Sequence, residues 1–362
     1  MCTASLLPGR LPHFIINQSS VPQPPTPMNT IPPSLIATRS VRNFIILTVL
    51  ALMTAATPNL RAQIMDVDGA TFGFGNYTAP TPVWDSATTA IWTTSTNGTN
   101  ATATWSSLGG GNSSVTEFRT SNSSASSTVT VAENFAVQGL TLSGTRGVTL
   151  SASSNRTITL SAGAIIHTPG AGFLTIGDNL TLSGDFTKTG NEFFRLGGNG
   201  TLGGAVTVAN TGILAPGTSG DATTTLKLNT KNLTLSGIDS KIQLNLTGTA
   251  DGEFDKIAGI AVFAQGGDIT FTLSGSYTSG DFWDVFDFSS NSGTFNSITL
   301  AGDYIGTLTP SGGIWTNTDI GGQSWEFDES SGTLSVIPEP ATWALLTASL
   351  TTVMVLRRRR NS

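Results

Sequence analysis

The sequence predicts an all-β protein, a right-handed parallel β-helix (β-solenoid) that ends in a β cap. Two observations predict the strands: short segments alternate apolar residues with threonine, and glycine or asparagine separates them. A period of two with β-branched residues is typical of strands, and Gly and Asn accept the positive φ of tight turns. Helix-period runs occur only in two terminal segments, which predict a signal helix and a transmembrane helix. The apolar–Thr–apolar triplets are residues 129–131, 140–142, 148–150, 158–160, 180–182, 233–235 and 298–300.

The amino-terminal segment, residues 1–62, is predicted to be a leader. Arg39 and Arg42 precede an apolar run over residues 44–56, and Ala62 precedes Gln63. A charged region, a short apolar core and a small residue before the cut describe a signal peptide, so we expect export through the Sec translocon and cleavage between Ala62 and Gln63. Met28 is the expected start codon. The alternative, an uncleaved anchor, would need a longer apolar run.

The body, residues 63–250, carries the loose strand repeat. Leu142, Leu150 and Leu160 are separated by 8 and then 10 residues. This spacing fits a sandwich or a barrel, and it also fits the stacked rungs of a parallel β-helix. We favour the β-helix because the repetition is continuous and Asn-Gly hairpin turns are rare.

Residues 251–335 are predicted to form a C-terminal cap, with a small β-sandwich as the alternative. A solenoid needs a distinct end to cover its last rung. This segment concentrates aromatic residues: Phe271, Tyr277, Phe282, Trp283, Phe286, Phe288, Phe295, Tyr304, Trp315, Trp325 and Phe327.

The charge balance of the chain limits its possible partners. Only 11% of the chain is charged, and residues 63–335 hold 9 Lys and Arg against 22 Asp and Glu, a net charge of −13. An acidic surface argues against nucleic acid as a partner. The only cysteine, Cys2, lies in the leader, so the predicted mature chain has neither disulfides nor thiolate chemistry.

Few side chains of the predicted mature chain suit catalysis. Its single histidine, His167, is interpreted as a turn or rung-edge residue. Two acidic groups are the remaining candidates. The first could bind calcium, but we interpret its members as solvated loop acids, and paired carboxylates could also hydrolyse glycosides. In a strand, the three acids of the first group would not all share one face, whereas the alternating acids of the second group could place three carboxylates on one face. We therefore predict no catalytic, cofactor-binding or metal-binding residues, and no cofactor. The two groups are Asp281, Asp284 and Asp287, and Asp251, Glu253 and Asp255.

The carboxyl terminus, residues 336–362, carries three features in a fixed order. Pro338, Glu339 and Pro340 precede an apolar segment, residues 341–356, which is predicted to cross the membrane. Four arginines follow and favour the cytoplasmic side. This arrangement resembles the PEP-CTERM sorting signal of bacterial surface proteins. The resemblance implies processing near the motif by an exosortase-type enzyme. The arginines are Arg357, Arg358, Arg359 and Arg360.

A second resemblance covers most of residues 80–304. The tryptophans upstream and the segment 139–142 resemble the autotransporter-associated β-strand repeat, and the downstream positions resemble the end of an autotransporter passenger domain. The resemblance implies a parallel β-helix. The matching residues are Trp84, Trp92, Trp105, Leu214, Ala215, Pro216, Gly217, Asp255, Ile257, Gly293, Thr294 and Phe295.

These features predict an exported structural protein of the cell surface or extracellular matrix, with exopolysaccharide as a candidate partner and the C-terminal segment as its membrane contact. Two alternatives stay open. One is a carbohydrate-active β-helix enzyme (a lyase or glycosidase), and the other is an adhesin that binds another cell.

Overall fold

The computed structural model describes residues 63–66, 82–88, 92–93, 104–106, 114–120, 126–198, 200–217, 223–338 and 357, all within a unit that spans Pro58–Ser362. The predicted signal helix, Ala62, Glu339, Pro340, the predicted membrane segment and Arg358–Arg360 lie outside the described residues. Within the described part of the chain, no helix combines the length and apolar character needed to cross a membrane.

The described residues form three β-sheets, which confirms the prediction of an all-β protein. The twelve-strand sheet contains β1 (Gln63–Asp66), β3 (Trp92–Thr93), β4 (Val115–Arg119), β6 (Phe135–Ser143), β8 (Arg156–His167), β10 (Leu180–Ser183), β11 (Phe186–Thr189), β13 (Thr201–Leu202), β14 (Val206–Ala209), β16 (Thr225–Ser236), β18 (Lys256–Gln265) and β21 (Phe286–Gly293). The ten-strand sheet contains β2 (Val83–Trp84), β5 (Ser127–Val131), β7 (Val148–Ser151), β9 (Leu174–Ile176), β12 (Phe193–Leu196), β15 (Ile213–Pro216), β17 (Lys241–Leu246), β19 (Asp268–Leu273), β22 (Ser297–Gly302) and β23 (Gly306–Thr307). The five-strand sheet contains β20 (Phe282–Asp284), β24 (Thr309–Ser311), β25 (Ile314–Ile320), β26 (Gln323–Asp328) and β27 (Thr333–Ile337).

The two larger sheets are parallel, apart from the pair β1–β3 in one and the pair β22–β23 in the other. From β5 to β19 the chain passes back and forth between them, so that each return adds a strand beside an earlier one. Two parallel strands must be joined by a crossover connection, and in this protein that connection runs through the other sheet. The arrangement is compatible with a β-solenoid.

All seven predicted apolar–Thr–apolar triplets lie in strands, with their apolar residues buried and the central threonine less buried. The reason is the period of two, which sends alternate side chains to opposite faces of a strand. Parallel register then stacks like positions into ladders. In one interior ladder, Leu140 pairs with Ile166, Ile166 with Lys188, Lys188 with Val208 and Val208 with Leu235. On the outer face of the sheet, threonine hydroxyls also stack, with 2.8 Å between the Oγ1 atoms of Thr181 and Thr201.

Longer strands of the twelve-strand sheet divide into two arms. The first half of β8 pairs with β10, and its second half pairs with β11. In the pairing of β6 with β8, a register shift near residue 138 marks the boundary between the two arms. Where the second arm turns toward the ten-strand sheet, Gly190 has a φ of 84°. A Cβ built there would lie 2.5 Å from the carbonyl oxygen of Thr168, so the stacked backbones require glycine at this corner.

Parallel pairing continues past residue 250, through β18, β19, β21 and β22, as far as Gly302. The antiparallel five-strand sheet contributes its first strand, β20, between β19 and β21 in the chain, and its other strands follow β23. Aromatic residues fill the space between this sheet and the last parallel strands. Phe327 of β26 lies 5.6 Å from Phe271 of β19 and 6.0 Å from Phe295, measured between ring centroids.

Candidate functional site

An acidic cleft opens where the parallel strands meet the five-strand sheet. Its volume is about 310 Å³, and two chain segments form it. One is the turn 249–254 with the first residue of β18, and the other runs from Gly280 to the end of β20. The lining residues are Thr249, Asp251, Phe254, Lys256, Gly280, Asp281, Phe282 and Asp284.

The cleft brings together members of both acidic groups that the sequence singled out. Asp281 and Asp284 come from one group and Asp251 from the other. The expectation that Asp251, Glu253 and Asp255 could share one strand face is wrong. Residues 251–253 form a turn, and only the segment from Lys256 onward belongs to β18.

Two of the charged side chains that line the cleft form an ion pair. Lys256 Nζ donates a hydrogen bond to Asp284 Oδ2 over 2.6 Å, and both side chains keep contact with solvent. Such a pair contributes little stability because water screens it, at most about 1 kcal/mol. Asp281 Oδ2 accepts a hydrogen bond from the backbone N–H of Thr278 over 2.7 Å, which holds the turn before β20. Asp251 is exposed, and its carboxylate bonds no group among the residues described.

The rim of the cleft carries an aromatic ring that sequence reasoning assigned to the cap but not to a site. Phe282 is 63% exposed, whereas its neighbour Trp283 is fully buried and donates from Nε1 to the carbonyl oxygen of Gly248 over 2.7 Å. In a strand, adjacent aromatics must face opposite ways, so the pair Phe282-Trp283 could have signalled one outward ring. Which of the two faces outward depends on the pairing of β20 with β27, which aligns Phe282 with Ser335.

Asp255, the third acid of its group, is fully buried and has a different environment. Its Oδ1 accepts from the backbone N–H of Thr224 over 2.9 Å, and its Oδ2 accepts from that of Asn245 over 2.8 Å. Burial raises the pKa of this carboxyl to about 7, although the two N–H groups and the charge of Arg195 act in the opposite direction. The carboxylate links the segment before β16, strand β17 and the start of β18, which is a structural arrangement.

Lys188 is a fully buried cation of the twelve-strand sheet. It points into the interior ladder, and its Nζ donates to the carbonyl oxygens of Thr189 and Gly190 over 2.7 and 2.8 Å. Burial lowers the pKa of Lys188 to about 7, against the opposing effect of Glu192. The ammonium thus satisfies backbone acceptors at the corner that Gly190 forms.

The remaining sequence-predicted residues lie apart from the cleft. His167 is the last residue of β8, and its Nδ1 lies 2.9 Å from Thr189 Oγ1. Burial, and then the nearby charge of Lys188, lower the pKa of this imidazole. Gln63, predicted to be the first residue after cleavage, begins β1, is buried and pairs with Thr116. Pro338 directly follows β27, and Arg357 is exposed.

His167 also borders a second, more apolar depression of about 440 Å³ on the outer face of the twelve-strand sheet, beside the half-exposed Ile165. Within the described ranges, no group of three or more His, Cys, Asp or Glu side chains has an arrangement that could hold a metal ion.

Comparison of the chain with protein-family models, with curated proteins and with solved structures gives no match. We therefore infer the function from the residues and their geometry.

Proposed function

We propose that this protein is an exported structural protein of the cell surface or extracellular matrix, and not an enzyme. In this proposal its body is a right-handed parallel β-helix, the five-strand sheet is the cap of the last rung, and a PEP-CTERM signal sorts the chain. Export uses the Sec translocon, and an exosortase-type enzyme processes the tail. The proposal rests on one feature above all: two segments that the sequence predicts to be targeting signals flank a body of parallel strands.

Two features of the fold and one general rule support the right-handed β-helix in this proposal. The chain alternates between two parallel sheets, and apolar residues stack in register inside. Crossovers between parallel strands are right-handed in nearly all known cases, which favours the right-handed form.

The five-strand sheet is bonded to the last parallel strands through Glu329. Its Oε1 accepts hydrogen bonds from the N–H of Phe295 and from Nε1 of Trp315 over 2.9 and 2.8 Å, as a cap would require.

The buried ionisable groups support a structural role. The carboxylate oxygens of Asp255 and Oε1 of Glu329 accept hydrogen bonds from backbone or indole N–H groups, and Nζ of Lys188 donates to backbone carbonyls. Ionisable groups that make their hydrogen bonds within the protein stabilise the places where chain segments meet, and not a bound substrate. Buried polar groups are tolerated only when they are hydrogen-bonded, which explains their placement at corners and junctions.

Intact mass combined with cell fractionation tests the proposal. We expect a product that begins near Gln63, ends near Pro340 and is found outside the membrane fraction. Replacement of both Pro338 and Pro340 by alanine should leave the tail in place and the protein in the membrane fraction. Pro310→Ala, in the exposed strand β24, is the matched control. A wild-type product that keeps Arg357–Arg360 in the membrane would overturn the sorting proposal.

A carbohydrate-active enzyme is the second candidate, because Asp251, Asp281 and Asp284 line one cleft. Paired carboxylates are the usual catalysts of glycoside hydrolysis. Release of reducing ends from a polysaccharide by the purified protein, abolished in both Asp251→Asn and Asp284→Asn, would favour this candidate over the structural one.

A further inference from the structure

The acidic cleft carries an exposed aromatic ring, and that ring points to a ligand. Five large hydrophobic residues of the described chain are well exposed, and Phe282 is the aromatic one among them. Burial of a phenyl ring is worth about 1.5–3 kcal/mol, so a ligand that covers Phe282 would gain free energy of this order. The neighbouring Trp283 and Phe286 are fully buried, so the exposure is specific to this position.

We propose that the cleft binds a pyranose unit of an uncharged polysaccharide, with the sugar stacked on Phe282 and its hydroxyls donating to the carboxylates of Asp251 and Asp284. A pyranose ring has an apolar C–H face and a rim of hydroxyl donors. An exposed phenyl ring complements the first, and ionised carboxylates, which only accept hydrogen bonds, complement the second. The volume of about 310 Å³ lies at the lower end of the range for small-ligand sites.

The charges of the cleft define which saccharides fit. Asp251, Asp281 and Asp284 stand against a single cation, Lys256, which already pairs with Asp284. A uronate or sulfated sugar would bring a further negative charge beside these carboxylates, and like charges at close range are repelled. The cleft therefore selects against anionic polysaccharides.

The walls of the cleft are held in place before any ligand arrives. Pairing with β27 fixes β20, the indole of Trp283 is bonded to Gly248, and the N–H of Gly280 donates to the carbonyl oxygen of Val336 over 2.8 Å. Gly280 has a φ of 99° and leaves open space where a side chain would project. Fixed walls reduce the entropy lost on binding, which favours a weak ligand such as a single sugar unit.

The inference rests on the proposed location outside the cell, where polysaccharide is available, but its test does not. Affinity electrophoresis of the full chain in detergent would use gels that contain dextran, galactomannan or alginate. We expect dextran or galactomannan to retard the protein, and alginate to leave its migration unchanged. Phe282→Ala should weaken the binding roughly tenfold. Phe282→Trp, which keeps an aromatic face, should preserve it.

Ile305→Ala is the matched control, because Ile305 is 81% exposed and does not line the cleft. Equal retardation of wild type and Phe282→Ala would overturn the inference. So would tighter binding to alginate, or an absence of binding to both neutral polysaccharides. Failure here would leave the mass and fractionation result intact, so the two proposals fail separately.

Discussion

At the scale of single residues, the buried charges are the informative positions. Asp255 supplies acceptors to the backbone N–H groups of Thr224 and Asn245, and Lys188 supplies donors to two carbonyl oxygens at a corner. Each group costs desolvation energy, and that cost is offset only while its hydrogen bonds are formed. Replacing either residue should therefore change stability by an amount that depends on how many of its hydrogen bonds are lost.

Asp255→Ala should lower the free energy of unfolding by about 2–4 kcal/mol, because it leaves the N–H groups of Thr224 and Asn245 without acceptors. Asp255→Asn keeps one acceptor oxygen and should cost roughly half as much. Denaturant titration measures both. Asp239→Ala, at an exposed acid, should change stability by less than about 0.5 kcal/mol. Equal stability of Asp255→Ala and wild type would show that water satisfies these groups.

The lowered pKa of Lys188 predicts that the stability of the folded protein depends on pH. Its pKa falls from 10.5 in the unfolded chain to about 7 in the folded protein. Between these values the unfolded chain binds more protons, so stability from this group should rise as pH increases from about 7 to 10. Asp255 has the opposite shift, from 3.8 to about 7, so its contribution should fall as pH rises through that window. The two groups together place a minimum of stability near neutral pH.

Unfolding measured at several pH values checks this prediction with Lys188→Met, an apolar replacement of similar length. The rise of stability above pH 7 should be lost in Lys188→Met. It should persist in Lys231→Met, because Lys231 is exposed. An unchanged slope in Lys188→Met would mean that the ammonium stays hydrated in the folded protein.

At the scale of the elements, the sequence predicted the strands well because their determinants are local. The triplet Leu180-Thr181-Leu182 has the period of a strand, and its leucines are buried as that period requires. The same period places Lys188 inside beside Phe186, although composition alone would expose a lysine.

The cleft could not be predicted in the same way. Asp251 and Asp281 are thirty residues apart, and the pairing of β20 with β27, which is long-range, brings them to one opening. Sequence periodicity carries no information on that pairing. The predicted signal and tail segments stay predictions, because they lie outside the described residues.

The corners between elements yield a prediction of their own. Gly190→Ala places a methyl group 2.5 Å from the carbonyl oxygen of Thr168, in addition to the strain of a positive φ. Gly163 also has a positive φ, of 76°, but a Cβ there meets nothing within 4 Å. Gly163→Ala should therefore cost only the backbone strain, about 1–2 kcal/mol. Gly190→Ala should cost clearly more in thermal unfolding, and equal costs would mean that the corner relaxes freely.

At the scale of the whole molecule, a stacked architecture makes stability local. In a solenoid each rung contacts its neighbours, so a defect at one end should not reach the other. Buried aromatic clusters occupy both ends of the described core. At the amino-terminal end Trp84 stacks on Phe135 with 4.4 Å between ring centroids, and at the other end Trp283 stacks on Trp325 with 5.9 Å. The two ends should therefore respond independently to substitution.

Glu329 offers the test of this independence, since it connects the five-strand sheet to the segment before β22. Glu329→Ala leaves the N–H of Phe295 and the indole of Trp315 without their acceptor, a cost of about 2–4 kcal/mol for two buried donors. Hydrogen exchange should accelerate in β21, β22 and β25–β27, and stay unchanged in β5–β9, because local openings are confined to adjacent units. Glu329→Gln, whose amide oxygen can still accept, should show a much smaller effect. Uniform acceleration across all strands would instead show that the sheets unfold as one cooperative unit, and the stacked-rung account of stability would fail.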